Sequence, residues 1–507
     1  MTPLLLRPLG HRRAGIACWT ALLASLLVAC GAIAQQPATG QAAGVDVKET
    51  GRTGENWMAA TRFGMFIHFG LYSLPGGVWQ GEQSGRNPYS EWIRAQWGWP
   101  ERSGIPRAQY DSLLKQFNPT GFDAAEWIRL ADEAGMKYVV ITAKHHDGFA
   151  LWDSKVSQYD LAATPFGATK RDLLGELVAE CRKRGLKVGF YYSHWQDWEH
   201  PGGALPPWPE NKLDPLQTQP TDASFQQYWQ QKCLPQISEL IDNYQPDMFW
   251  FDTWGAGSAK QITCARRDEL IHLIRTKAPS CMINGRISAQ DPAGADFISM
   301  GDNQFPEREN APKVPWETPG TMNHSWGYNR LDFAWQPFDI LLERLLRNAS
   351  HGGAITLNVG PMANGRFQDA AVRRLRQFAA WMAIHRHSLQ GTSRDPFPDH
   401  TLPPQLVATA GKDRVFLHRL GPLPAGPLKL PAAAIPGLGS GAARAQVLET
   451  REFLTIRRDG DTITLDLPAH LAGLDHPVIQ VGAESAIAHR YEDGTEVTPV
   501  KPGDFRR

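Results

Sequence analysis

Short apolar runs along this chain alternate with longer stretches whose apolar positions recur at helical spacing. Tyr138-Val139-Val140-Ile141-Thr142-Ala143 has the β-branched density of a strand buried on both faces. Similar runs predict strands over 63–70, 187–193, 247–252, 281–286 and 354–359. Between them, Asp123 and Glu126 form a D-x-x-E capping box ahead of Ala124, Trp127, Ile128, Ala131 and Ala134, and Gly135 closes that helix. Further helices are predicted over 170–184, capped by Thr169 and closed by Gly185, and over about 222–244, 265–277, 338–348 and 368–386.

Strands and helices in this order predict a parallel sheet. The span of about 330 residues favours a (β/α)8-like barrel over a doubly wound sheet. No glycine-rich dinucleotide or phosphate fingerprint follows any strand, which points the same way. Residues 287–336 show little helical pattern, so the barrel is expected to be partly irregular there. From about 393 the texture becomes short β runs between Pro/Gly turns, such as 414–418, 453–456 and 462–467, the pattern of an antiparallel β-sandwich. The expected organisation is a barrel over 51–392 and a C-terminal sandwich over 393–507.

The first residues form a separate segment. Arg7, His11, Arg12 and Arg13 precede an apolar stretch from Ala14 to Ala29, which predicts an export signal over 1–34 and no membrane span. Two processing readings stay open. Ala32-Ile33-Ala34 before Gln35 is an A-x-A site, whereas Leu27-Val28-Ala29-Cys30-Gly31 resembles a lipobox that would leave a lipid anchor on Cys30. Residues 35–50 read as a flexible leader. The chain is expected to work outside the cytoplasm, in the periplasm, at the outer membrane or beyond the cell.

Lys+Arg and Asp+Glu both number 52, so no basic field recruits nucleic acid. Cys181, Cys233, Cys264 and Cys281 are far apart and contain no C-x-x-C; a disulfide and free thiols are both open. The chemistry gathers instead at the carboxyl ends of the predicted strands. His68, His145 with His146, Tyr191, Trp250 with Asp252, and Arg286 each stand at such an end, where barrels build their ligand pockets. Side-chain alternation predicts that His145 and His146 point to opposite sides of an extended segment, leaving open whether one is structural. Asp147 is read as an orienting acid. No H-E-x-x-H occurs and the strand-end histidines form no H-x-H, so no metal is expected there.

Several of these segments resemble one family. Phe63-Gly64-Met65-Phe66-Ile67-His68-Phe69-Gly70, Glu91-Trp92, Lys144-His145-His146-Asp147-Gly148-Phe149, Gly189-Phe190-Tyr191-Tyr192-Ser193 and Trp250-Phe251-Asp252 look like segments of family 29 glycoside hydrolases, the α-L-fucosidases, in the family's order. Trp316-Glu317, Ser325-Trp326-Gly327-Tyr328 and Leu357-Asn358-Val359-Gly360-Pro361 extend the resemblance over about residues 52–392. It implies a retaining exo-glycosidase acting on fucosylated glycans without a cofactor. Asp252 would be the nucleophile and Glu317 the acid/base, with Asp302, Glu307 and Glu309 as alternatives in the same irregular region. His68, Glu91, Trp92, His145, His146, Tyr191, Trp250, Arg286 and Trp326 would bind the sugar. The Ser-Trp-Gly-Tyr form is similar to the broad-specificity branch. Two rival readings are a metal-dependent hydrolase on the same barrel and a non-catalytic fucose-binding protein.

Overall fold

The structure, a computed structural model, describes residues 56–83, 89–96, 105–206, 218–422 and 425–487. The expected export signal and leader lie outside the described residues. Eight parallel strands follow one another: β1 (Phe63–Ile67), β2 (Tyr138–Lys144), β3 (Lys187–Tyr192), β4 (Met248–Trp250), β5 (Met282–Ile283), β6 (Ile298–Ser299), β7 (Trp316–Thr321) and β8 (Ala354–Val359). Their spatial order is β5-β4-β3-β2-β1-β8-β7-β6. A parallel bridge between Asn284 and Phe297 joins the two outermost strands, so the sheet curls into a ring.

The strands are apolar on both faces because both are covered. Outside lie α1 (Ala124–Glu133), α2 (Leu173–Lys183), α3 (Leu234–Tyr244), α4 (Cys264–Lys277), α5 (Phe338–Ser350) and α6 (Asp369–His385). The cap of α1 forms at Asp123 as expected, its Oδ1 accepting from Glu126 N at 3.1 Å. The cap of α2 differs from expectation. Asp172, not Thr169, receives the Gly175 N–H, because Thr169 ends a separate short helix, Pro165–Ala168. The stretch expected as one helix over 222–244 contains a π-turn at Trp229–Cys233, two residues before Pro235. Proline has no N–H to donate to the carbonyl four residues back, so a regular ladder cannot run through Pro235.

The irregular sector is real and extends over two units: no α-helix separates β5 from β6, or β6 from β7. Beyond the barrel, antiparallel strands form a five-stranded and a three-stranded sheet between Leu406 and Ala483, around a core that includes Leu417, Ala445, Leu465 and Val481. Val407, Phe416 and Leu448 also join the barrel's outer core, so the two layers share packing. Cys181, Cys233, Cys264 and Cys281 form no disulfide. Among the described residues no helix is long and apolar enough to cross a membrane.

The barrel interior is partly polar. The Tyr138 ring fills the space left by Gly64, where a Cβ would stand 2.2 Å from it. Tyr138 OH and Thr356 Oγ1 lie 2.8 Å apart, and Thr356 donates to Glu317. Gly64→Ala is therefore expected to lower stability by about 1–3 kcal/mol, since the ring is held and cannot give way. A lower urea midpoint with an unchanged slope would show it.

Candidate active site

The cavity at the carboxyl ends of the strands has a volume of about 370 Å³ and is floored by Phe66 and Trp250. Ten of the predicted residues line it: His68, Glu91, Trp92, His145, His146, Tyr191, Trp250, Asp252, Arg286 and Trp326. Tyr89, Trp254, Gly301 and Asp302 complete the wall together with Phe66.

Asp252 stands two residues past β4, beyond the strand ladder. A side chain replaces the missing neighbour: Asn284 Oδ1 accepts from Phe251 N at 2.7 Å, and Asn284 Nδ2 donates to Phe251 O at 2.9 Å. This amide holds the backbone that delivers Asp252. Its carboxylate receives Arg286 Nη1 on Oδ1 at 3.0 Å and Tyr191 OH on Oδ2 at 3.1 Å. Burial pushes Asp252 up to about 6, and the Arg286 charge works against that rise. Arg286 also donates through Nη2 to Asp302 Oδ1 at 2.7 Å. One guanidinium thus holds two carboxyl groups, Asp252 at 14% side-chain exposure and Asp302 at 42%.

The histidines depart from simple alternation. The β2–β3 register shifts between Thr142 and Lys144, and a turn follows in which Gly148 N bonds His145 O at 3.1 Å. Gly148 has φ +85°, a conformation that favours glycine. The broken alternation puts both histidines on the cavity wall, against the expectation that they point to opposite sides. His145 stacks on Tyr191 with ring centroids 5.2 Å apart. His146 Nδ1 lies 2.7 Å from Ser193 Oγ, which donates onward to Gln196 O at 2.7 Å. Ser193 has spent its proton, so His146 Nδ1 carries one and Nε2 is left as an acceptor. Burial drives both histidines well below their ordinary value, so they are neutral.

Asp147 points away from the cavity and accepts from Tyr110 OH at 2.9 Å, anchoring the turn as an orienting acid would. Lys144 is fully buried and reaches Asp197 Oδ2 at 2.7 Å. That ion pair ties the turn to the loop after β3. Glu91 accepts from Gly327 N at 2.9 Å, and burial raises it to about 8. Its Oε1 is closed off from solvent.

Glu317 requires a correction. It was expected to supply the second carboxyl group, yet it does not line the cavity. It is wholly buried under Trp250, whose Nε1 donates to Oε1 at 2.5 Å. Ser299 Oγ donates to the same oxygen at 2.9 Å, and Thr356 occupies the other. The reason is position: Glu317 is the second residue of β7, near its amino end, below the layer where strand ends open to ligand. Asp302 reaches the cavity instead. Among the described residues, no group of three or more His, Cys, Asp or Glu side chains is arranged to hold a metal ion.

Comparison with known proteins identifies a family and a fold. The profile of the family described as Alpha-L-fucosidase matches residues 31–387. The tissue α-L-fucosidase of Rattus norvegicus is 29% identical over 352 residues, covering 66% of this chain and 69% of its own. The crystal structure of an α-L-fucosidase from Vibrio sp. strain EJY3 superposes with a TM-score of 0.72 at 29% identity, over 84% of this chain and 72% of that one. A family 29 enzyme of Bacteroides thetaiotaomicron, trapped as a covalent intermediate with 2-fluoro-fucosyl fluoride, superposes with a TM-score of 0.69 at 28% identity, over 84% and 95%. With a barrel, a strand-end pocket and a profile match over more than half its length, this chain belongs to the α-L-fucosidase family of glycoside hydrolases.

Proposed function

We propose that this protein is a retaining exo-α-L-fucosidase in which Asp252 is the nucleophile and Asp302 the acid/base. The observation that carries the reading is the Arg286 fork. Arg286 donates to Asp252 at 3.0 Å through one arm and to Asp302 at 2.7 Å through the other, which sets two carboxyl groups at one cavity as a two-carboxylate glycosidase needs. Asp252 Oδ attacks the anomeric carbon while the glycosidic bond breaks and the Asp302 proton passes to the leaving oxygen. Asp302, now a carboxylate, then takes a proton from water, which attacks the same carbon and releases Asp252. Glu317 has no path to the leaving oxygen, and the inaccessible Oε1 of Glu91 argues against that residue. The neutral imidazoles and the aromatic wall of Phe66, Trp92, Trp250 and Trp326 suit a sugar with three hydroxyls and an apolar methyl. The substrate is accordingly a terminal α-L-fucosyl group on a glycan. Export is proposed on the basic and apolar pattern of residues 1–34; intact mass of the mature chain from a bacterial host should begin at Gln35 or carry lipid on Cys30.

Asp252→Ala should lose nearly all hydrolysis of an aryl α-L-fucoside, with partial rescue by azide. Asp302→Ala should slow natural glycans by about 10²–10⁴ while sparing activated aryl fucosides. Glu317→Ala should slow both substrates alike, because it acts through Trp250. If Glu317→Ala spares the aryl fucoside and Asp302→Ala does not, the acid/base assignment is reversed.

The pH dependence has a definite sign. A nucleophile raised to about 6 is ionised above that pH and protonated below it. The acid limb of kcat/KM should therefore fall about tenfold per pH unit below about 6. Removing the opposing charge with Arg286→Gln should move that limb to higher pH, and a limb that stays in place would detach Arg286 from this role.

A further inference from the structure

Asn358 lies in β8, buried behind the cavity and not part of its wall. Its amide has two commitments. Nδ2 donates to the Trp326 carbonyl at 2.7 Å. A carbonyl only accepts, so the amide cannot be turned the other way. Oδ1 must then face His68 Nδ1, 2.7 Å away. Oδ1 carries no proton, so His68 Nδ1 supplies it.

His68 is neutral, since burial drives its imidazole down to about 3. With its one proton on Nδ1, Nε2 bears a free lone pair. Among the described residues Nε2 has no hydrogen-bond partner, and it is not a sealed, unsatisfied atom. His68 lines the cavity, so Nε2 opens onto the ligand space. The same amide ties down the backbone of Trp326, whose ring centroid is 5.0 Å from that of His68.

We infer that Asn358 is a positioning residue that fixes His68 as an obligate hydrogen-bond acceptor, so that this corner of the pocket selects a sugar hydroxyl that donates. The inference rests on the proposed fucosidase reading for its ligand, but not for the tautomer itself. Asn358 never touches the sugar. Its effect reaches the sugar through the proton it places on the far side of the imidazole and through the Trp326 wall it secures.

The test compares an aryl α-L-fucoside with its three monodeoxy analogues, on wild type, Asn358→Leu and Asn358→Asp. Dividing each variant's kcat/KM by the wild-type value for the same substrate cancels intrinsic reactivity. Asn358→Leu should lose roughly three- to tenfold on the parent, mainly in KM, the worth of one neutral hydrogen bond. It should lose little on the one analogue that lacks the hydroxyl facing His68. Asn358→Asp keeps an acceptor for Nδ1–H and should restore the selectivity for that hydroxyl. An equal loss on all four substrates, with no recovery in Asn358→Asp, would make Asn358 merely structural and overturn the inference.

Nitrogen NMR of histidine-labelled wild type, with the His68 signal assigned by its loss in His68→Gln, gives an independent answer should the variants fail to fold. A proton on Nδ1 supports the inference and a proton on Nε2 overturns it. Absence of any hydrolysis by wild type would count against the proposed function while leaving the NMR result decisive for the tautomer.

Discussion

The site depends on one half-buried cation held between two acids. Arg286 follows a strand of two residues, yet its guanidinium meets Asp252, Asp302, the Met300 carbonyl and the face of Trp250, with Cζ 4.9 Å from that ring's centroid. Burial alone favours a neutral Asp252. The guanidinium opposes this, and Tyr191 adds a hydrogen bond to the other oxygen. A guanidinium is planar and forked, so it also sets where the two carboxyl groups stand relative to each other, which a lysine would not do. Charge state and geometry are thus fixed by the same group.

A second constraint runs beneath it. Glu317 sits in the barrel interior with Trp250, Ser299 and Thr356 all donating to it. Ser299 Oγ in turn accepts from Asn284 Nδ2 at 3.2 Å, and Asn284 grips the backbone of Phe251. A chain of hydrogen bonds therefore links the interior carboxyl group to the segment that presents Asp252. A half-satisfied polar network in a core is costly, whereas a satisfied one locks a unique arrangement. Burial raises Glu317 above its ordinary value, and the three donors work against the rise. This placement explains how a carboxyl group can look catalytic from its neighbours in the chain and yet serve to hold the Trp250 floor.

The legible parts of the fold were those governed by local rules. The cap at Asp123, the apolar runs of β1, β2, β3 and β8, and the polar residues at their ends all announced themselves because each signal lies within a few residues. β6 and β7 did not. Ile298–Ser299 is too short to carry a period, and Trp316–Thr321 contains Pro319 and Gly320, which read as a turn although the ladder to β8 accommodates both. Missing β7 hid the depth of Glu317, since a residue near the amino end of a strand faces the interior rather than the mouth. Asp302 had no periodic context that would mark it out from Glu307 and Glu309. The two histidines were recognisable as site residues, but their shared orientation depends on a register shift that alternation does not predict. Asn284 and Asn358 act through distant backbone, which no local pattern reports.

The irregular sector is also where the chemistry asks for freedom. In a regular unit the chain leaves a strand, packs a helix on the outside and returns. Between β5 and β7 it has no α-helix to pack, and the chain leaving β6 carries Asp302 to the mouth. The exposures of the two acids then follow from their proposed tasks. A nucleophile works on an atom held inside the pocket and gains from a site that excludes water, as Asp252 is placed. An acid/base must meet the departing glycan first and a water molecule afterwards, both arriving from outside. A carboxyl group left 42% exposed on the rim, yet tethered to the same guanidinium, satisfies both demands. Sealing it under Trp250, where Glu317 lies, would satisfy neither.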